Sequence, residues 1–247
     1  PHPGRPAGRP AGTGGGRGNK NRMPHRPKQS AVQDRKFLPK EGSLSGAETT
    51  GLGMLNRDTL YFVPLGGLEE VGRNCSFFEY NDEIVIIDMG IQFPEEDTPG
   101  IDWIIPNVSY LEKKKKNIKG IIITHAHYDH FGAVPYVLEK LGNPTIYGSE
   151  LIKALLEKKL AEMPNVPKMK FQVIKNHDRV KFSEHFTSEF FGVAHTVPDT
   201  TGVMLETPSG KMVHFADFRL EYDKSGNLLN TKEFEWLGSQ GVHSLLI

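Results

Sequence analysis

The chain has 247 residues, with 30 Lys/Arg balanced by 30 Asp/Glu and 37% hydrophobic residues, enough for one large domain or two small ones. Its single cysteine, Cys75, excludes an internal disulfide framework and fits a reducing compartment, where it reads as a small core residue. No apolar run approaches the ~18 residues of a membrane span and no signal-peptide core is present, so neither a membrane role nor secretion has support.

The zero net charge hides an asymmetry. Residues 1–50 hold ten Lys/Arg and three Asp/Glu, a net of +7, and the remainder carries the compensating −7. Residues 1–55 form a Gly/Pro/Arg-rich arm with few large apolar side chains, too little to offset the entropy of ordering, so the arm is expected to be disordered. It is equally suited to neutralising nucleic-acid phosphates and to serving as a solvated linker. His2 and His25 in it read as exposed. The folded body is expected over 56–247. The missing initiating Met, and an end at Leu245-Leu246-Ile247 within a strand pattern, predict a fragment of a longer protein.

Along the body, short β-rich runs are predicted at 61–63, 75–80 and 83–88, the last two joined as a hairpin at Asn81-Asp82. Between the first two, Gly66 to Asn74 is glycine-rich and permits a tight bend. The third run ends in Asp88, an acid at a strand terminus that could equally be a turn residue. Residues 99–110 read as a loop and short helix, and 111–116, with four consecutive lysines, as that helix's solvated end.

A strand at 121–124 then leads into Thr124-His125-Ala126-His127-Tyr128-Asp129-His130. Three histidines and an aspartate crowded at the end of an apolar strand would be an electrostatic and desolvation burden unless they hold a metal, and imidazole and carboxylate are the ligands that zinc and similar divalent ions take. An amphipathic helix is predicted over 132–141, with Pro135 in its first turn, followed by a short strand at 145–147. A second helix follows at 149–162, N-capped by Ser149, with Leu151, Ile152, Leu155 and Leu156 facing inward. Further strands are predicted at 170–174, 188–193, 202–206, 211–215 and 242–247. Sets of strands with helices between them indicate a layered α/β arrangement with mixed sheets.

His195 and Asp217 also follow β-runs. Together with Asp88 and the 125–130 cluster they can meet at one sheet edge, where α/β proteins place their sites. His177, His185, His214 and His243 follow no such pattern and read as surface or satisfied core, with His214 singled out because it precedes Asp217 on its strand.

The ordered set Asp88, His125-x-His127-x-Asp129-His130, His195 and Asp217 resembles the motifs of the metallo-β-lactamase fold. Within that superfamily the chain is similar to the ribonuclease J family of the β-CASP group. The similarity is carried by Pro64-Leu65-Gly66-Gly67-Leu68-Glu69-Glu70-Val71-Gly72-Arg73-Asn74, Ile87-Asp88-Met89-Gly90-Ile91-Gln92-Phe93-Pro94-Glu95, Ile101-Asp102-Trp103-Ile104-Ile105-Pro106, His195-Thr196-Val197-Pro198-Asp199 and Ala216-Asp217-Phe218-Arg219. It covers roughly residues 60 to 247.

The resemblance implies the first part of an αββα fold, with the β-CASP and C-terminal regions absent. It implies that His125, His127 and His195 hold one metal, Asp129 and His130 a second, and that Asp217 bridges them. Asp88 would orient the ligand loop, and Tyr128 stands where many members carry an acid and receives no catalytic role. Two divalent ions, zinc best, with manganese or magnesium possible at the more oxygen-rich position, would support phosphodiester hydrolysis.

The implied enzyme is an endonuclease and 5′-to-3′ exonuclease acting on RNA in maturation and decay. It would be cytoplasmic, a dimer or tetramer at full length, with RNA-degradation or ribosome-associated partners. The family's last metal-ligand histidine lies beyond Ile247, so residues 1–247 are expected to be weakly active or inactive, with a half-open site and an exposed sheet edge. A glyoxalase II-like thioesterase or a tRNA 3′-processing nuclease would use the same ligands. A non-catalytic RNA-binding scaffold is the alternative of another class.

Overall fold

The computed structural model describes residues 55–94, 99–164, 166–229 and 231–247; residues 1–54 of the basic arm, and Glu95, lie outside them. Eleven strands among these form two sheets. The first comprises β1 (Tyr61–Gly66), β2 (Cys75–Tyr80), β3 (Glu83–Ile87), β4 (Ile118–Ile122), β5 (Ile146–Gly148) and β6 (Phe171–Val173), in chain order. The second contains β7 (Arg179–Lys181), β8 (Thr187–Gly192), β9 (Thr201–Thr207), β10 (Gly210–His214) and β11 (Val242–Leu246), in the spatial order β11-β10-β9-β8-β7. The helices are α1 (Ser109–Lys113), α2 (Tyr128–Phe131), α3 (Val134–Val137), α4 (Glu150–Ala161) and α5 (Thr231–Ser239).

The period of two along each strand sorts the side chains into layers. In β3, Ile84 and Ile86 join Phe77, Ile121 and Ile123 against Leu111, Val134, Val137, Ile152 and Leu156 of the helical layer. The alternate residues Val85 and Ile87 face the other way with Phe78 and Ile122, against Phe186, Phe190, Val203 and Leu205 of the second sheet. On that sheet's outer face Phe191, Met204 and Val213 pack on Leu237 of α5. Both faces of the central strands are therefore covered, so β3 is apolar without a break from Ile84 to Ile87. The result is the αββα sandwich expected from the sequence.

Strand direction places the site. β3, β4, β5 and β6 run parallel, so β3 and β4 both end at one edge, where Asp88 and His125 follow. In the second sheet β8 and β10 run out toward His195 and Asp217. β11 pairs in parallel with β10 at the sheet's edge, and its Leu245 is 53% exposed.

Several elements differ from expectation. β4 begins at Ile118, three residues early, because Ile118 pairs with Ile84 and Gly120 with Val85, Lys119 being passed over in an irregularity between them, although neither Lys119 nor Gly120 has strand propensity. The helix expected over 132–141 is regular only over Val134–Val137, although Leu138 and Leu141 are buried as its pattern requires. In α4, Ser149 does cap the helix through Ile152 N–H, but only Ile152 and Leu156 are fully buried, Leu151 and Leu155 being partly so. The lysine run is not merely a solvated helix end. Lys114 pairs at 2.5 Å with Glu79, a buried carboxylate that also accepts from Tyr110 Oη at 2.7 Å, and Lys114 reaches Asp82 at 3.1 Å. β7 and α5 had no predicted counterpart.

Candidate metal centre

Asp88 is where the site begins. It follows β3 with φ +61°, a strained left-handed turn for a non-glycine residue, and its carboxylate is buried. Thr124 donates to it twice, through N–H to Oδ1 at 2.8 Å and through Oγ1–H to Oδ2 at 2.9 Å. His130 Nδ1 lies 2.8 Å from Oδ2. An ionised carboxylate only accepts, so His130 carries its proton on Nδ1 and keeps Nε2 free. The Thr124 hydroxyl directs its hydrogen to Asp88, so its oxygen accepts from His125 Nδ1 at 3.1 Å, which leaves the His125 Nε2 lone pair free as well. One buried carboxylate thus sets the tautomers of two histidines.

The 125–130 segment turns because His127, in extended conformation, leads into the single turn of α2, which swings Asp129 and His130 back toward Asp88. That turn is held by backbone bonds to the loop after β3, from Met89 N–H to His130 O at 2.7 Å and from Ile91 N–H to Tyr128 O at 3.1 Å. Gly90 has to be glycine, since a Cβ there would lie 1.5 Å from Asp129 O. Asn74 enters from the loop after β1, its N–H donating to Asp129 O at 3.0 Å and its side-chain amide to Asp129 Oδ2 at 3.1 Å.

His195 arrives from the other sheet. Its loop is tied to the first by Thr201 N–H on Thr124 O at 3.0 Å, and to the Asp217 loop by Arg219 N–H on Ala194 O at 2.8 Å. Asp217 follows Ala216, which sits at φ +57° and donates its N–H to His214 Nδ1 at 3.1 Å. His214 therefore supports the turn that carries Asp217, a role its place on the strand only hinted at. Of the other histidines, His185 pairs with Glu83 at 2.8 Å and His177 lies within 3.4 Å of Glu233, both away from the cluster.

At the meeting point His127 Nδ1 is 3.1 Å from His125 Nε2 and 3.2 Å from His195 Nε2. Asp217 Oδ2 is 3.9 Å from His125 Nε2 and 3.7 Å from His195 Nε2, and the four ligand atoms lie within 4.8 Å of one another. Bonds of about 2.0–2.1 Å at tetrahedral angles put zinc ligand nitrogens roughly 3.3 Å apart. Those nitrogen separations are close to the edge of such a tetrahedron, and imidazole with carboxylate is a donor set zinc accepts, so the residues fit the ion. Beside this group, His130 Nε2 lies 3.6 Å from Asp129 Oδ2 and 3.5 Å from Asp217 Oδ1, a second set that shares Asp217.

The electrostatics of the two sets differ. Burial, reinforced by the neighbouring imidazoles, pushes His125 down to about 3, and burial also lowers His195 against the pull of Asp217. For His130 burial works the same way, but the charge and hydrogen bond of Asp88 outweigh it and raise the ring's proton affinity. Asp88, in turn, is held below the ordinary carboxylate range despite its burial, by His130 first and then His214 and His125. Two cavities open beside the cluster. One of about 910 Å³ runs along His195, and one of about 330 Å³ is walled by Asn74, Asp88, His130 and Asp217.

The sequence pattern of the Metallo-beta-lactamase superfamily matches residues 68–228, which span Asp88, the 125–130 cluster, His195 and Asp217. The chain belongs to this superfamily. Among curated relatives of this metallo-beta-lactamase domain, ribonuclease J of Thermus thermophilus is 36% identical over 214 residues, 84% of this chain and 36% of that protein. Ribonuclease J of Synechocystis is 35% identical over 76% of this chain and 29% of its own length, and that of Mycoplasma pneumoniae 38% identical over 72% and 31%. The chain thus spans about a third of the length of these relatives. A solved protein of unknown function from Enterococcus faecalis superposes with a TM-score of 0.55 at 16% identity, over 75% of this chain and 49% of that one, which supports the fold alone.

The residues expected at the site, Asp88, His125, His127, Asp129, His130, His195 and Asp217, all come together. Asn74 and Thr124 join them unannounced. The only signal for Asn74 was the glycine-rich 66–74 segment, and Thr124 had none beyond standing next to His125. Among the described residues no helix is long and apolar enough to cross a membrane, and Cys75 is a buried free thiol.

Proposed function

We propose that this chain is the metal-binding part of a ribonuclease J-like enzyme that hydrolyses RNA phosphodiester bonds, both endonucleolytically and from the 5′ end. The reading is carried by one observation, the convergence of His125, His127, His195 and Asp217 within 4.8 Å in a chain whose relatives are ribonucleases J. In this reading His125, His127 and His195 hold one divalent ion, Asp129 and His130 hold another, and Asp217 is shared. Zinc suits the nitrogen-rich set best, and manganese or magnesium suits the other.

Two ions so placed would supply Lewis acidity toward a phosphate oxygen and make water nucleophilic at neutral pH. The protein's own residues do the rest. Asp88 and Thr124 keep His125 and His130 in the tautomers that leave Nε2 free, and the carboxylates of Asp129 and Asp217 bring negative charge to the two positions. Outside residues 1–50 the chain carries a net −7, so attraction for an RNA backbone falls to the bound cations and to the basic arm. Cytoplasmic RNA maturation and decay, as a dimer or tetramer with RNA-degradation or ribosome-associated partners, is the setting this implies.

Side-by-side assays on 5′-monophosphorylated RNA and on a thioester separate this reading from a glyoxalase II-like one. The ratio of the two activities is the readout. Cleavage of the RNA that is lost on chelation and restored by zinc is expected. Thioester hydrolysis with the RNA left intact would exclude the proposal.

A further inference from the structure

The 66–74 loop passes through the left-handed region four times in seven residues, from Gly67 to Arg73. Glu69 at φ +58° and Arg73 at φ +53° are left-handed without being glycine, alongside Gly67 at +83° and Gly72 at +89°. Strain of this kind persists where surrounding structure over-determines it. Here the loop delivers Asn74 into a fixed position. The backbone N–H of Asn74 donates to Asp129 O at 3.0 Å, its carbonyl accepts from Gly90 N–H at 2.9 Å, and Arg73 N–H is tied to Ile91 O at 2.9 Å. A Cβ on Gly67 would stand 2.3 Å from Asn74 Oδ1, so glycine leaves the room that this oxygen fills. With both backbone groups bound and the carbonyl end seated, the Nδ2 end has one direction left. It lies 3.1 Å from Asp129 Oδ2 and 3.0 Å from His130 Nε2, on the wall of the cavity that Asp88 and Asp217 also line.

We propose that Asn74 is the positioning residue of the second ion's half of the centre: the strained loop presents its amide so that Asp129 and His130 are held ready for an ion. This rests on the two-ion reading above. His130 Nε2 has a single lone pair and must exchange the amide for an ion. Asp129 Oδ2 has lone pairs to spare, so the amide's bond to it survives loading. That bond matters because Asp129 is about one-third exposed and has no other side-chain donor than Asn74 among the described contacts. Without the amide the carboxylate would have to be ordered by the ion itself. Among the described residues His125, His127 and His195 make no hydrogen bond with Asn74, so the first half does not draw on its amide.

The test is a calorimetric zinc and manganese titration of the metal-free chain, with elemental analysis of the loaded protein, for wild type, Asn74→Leu and Asn74→Ala. Leu keeps the volume and removes the donor. Ala keeps both backbone bonds, so a melting curve of each metal-free variant shows whether the fold is retained. Wild type should bind in two steps, and both variants should weaken the second step about 10- to 100-fold, the range for loss of a ligand's hydrogen-bond partner, with the first step within about twofold. Two steps in wild type that are unchanged in both variants would overturn the role of Asn74 and leave the two-ion reading standing, as would equal weakening of both steps. A wild type that takes up fewer than two ions would overturn the two-ion reading itself and the inference with it.

Discussion

The histidine-rich half of the centre and the Asp129–His130 half are assembled by opposite means. His125, His127 and His195 come from both sheets, separated by up to 70 positions, and meet through packing of the two β-layers. His125 among them is kept neutral by burial. Asp129 and His130 are neighbours on a single helical turn, aimed by local strain and an Asn74 amide, and His130 is drawn toward its protonated form by Asp88. In the two-ion reading an ion meets lowered proton affinity at His125 and His195 in the first half and must compete with a proton on His130 in the second. The difference teaches that occupancy of the two halves can be separated, by mutation or by pH.

Loss of the shared ligand should have the largest effect. Asp217→Ala is expected to weaken both ions by more than the roughly 100-fold upper range for an outer partner and to abolish hydrolysis, read by elemental analysis and the RNA assay. If one ion stays bound as tightly as in wild type, Asp217 is not shared.

Asp88→Ala leaves Thr124 N–H and His130 Nδ1 unpaired in a buried pocket. Breaking a buried ionic pair costs about 3–5 kcal/mol, so the metal-free protein should melt well below wild type, with both ions weakened because both tautomers are released. An unchanged melting curve would show that the carboxylate is dispensable.

The pH dependence sharpens the comparison without mutation. Because His130 has a raised proton affinity while His125 is pushed down to about 3, acidification protonates His130 before His125. Across the range of about pH 8 to 5 where histidines titrate, metal content should fall from two ions to one before the first is lost. Simultaneous loss in a pH series of equilibrium dialysis would count against it.

Thr124→Val should have the smallest and most selective effect. It removes the relay to His125 and leaves the Asp88–His130 bond intact, so the first ion should weaken by about 10-fold with the second unaffected in the same titration.

Much of this was legible in the chain. The alternation of Phe77 with Phe78, and of Ile84 and Ile86 with Val85 and Ile87, marks strands buried on both faces, and the ligands stand out because histidines and acids follow apolar runs. What was not legible is small or non-local. β7 is three residues with charged side chains at both ends, too short to show a period. β4 extends through Lys119 and Gly120 because its ladder partners hold it there. Lys114 resembles its neighbours in a lysine run and differs only by the buried Glu79 it reaches from another element. Thr124 and Asn74 act through hydrogen bonds across loops, which leave no spacing to read.

By itself the sequence singled out the candidate ligands, the order in which they arrive and the layered character of the fold, because side-chain chemistry and periodicity are local properties. Only the tertiary structure decided how those ligands divide. The parallel run of β3 and β4 sets Asp88 beside Thr124, the packing of the second sheet brings His195 to His127, and the strained 66–74 loop turns an asparagine amide toward Asp129 and His130. Proton positions and ion geometry depend on distances of about 3 Å between residues far apart in the chain, and such distances exist only once the layers have packed.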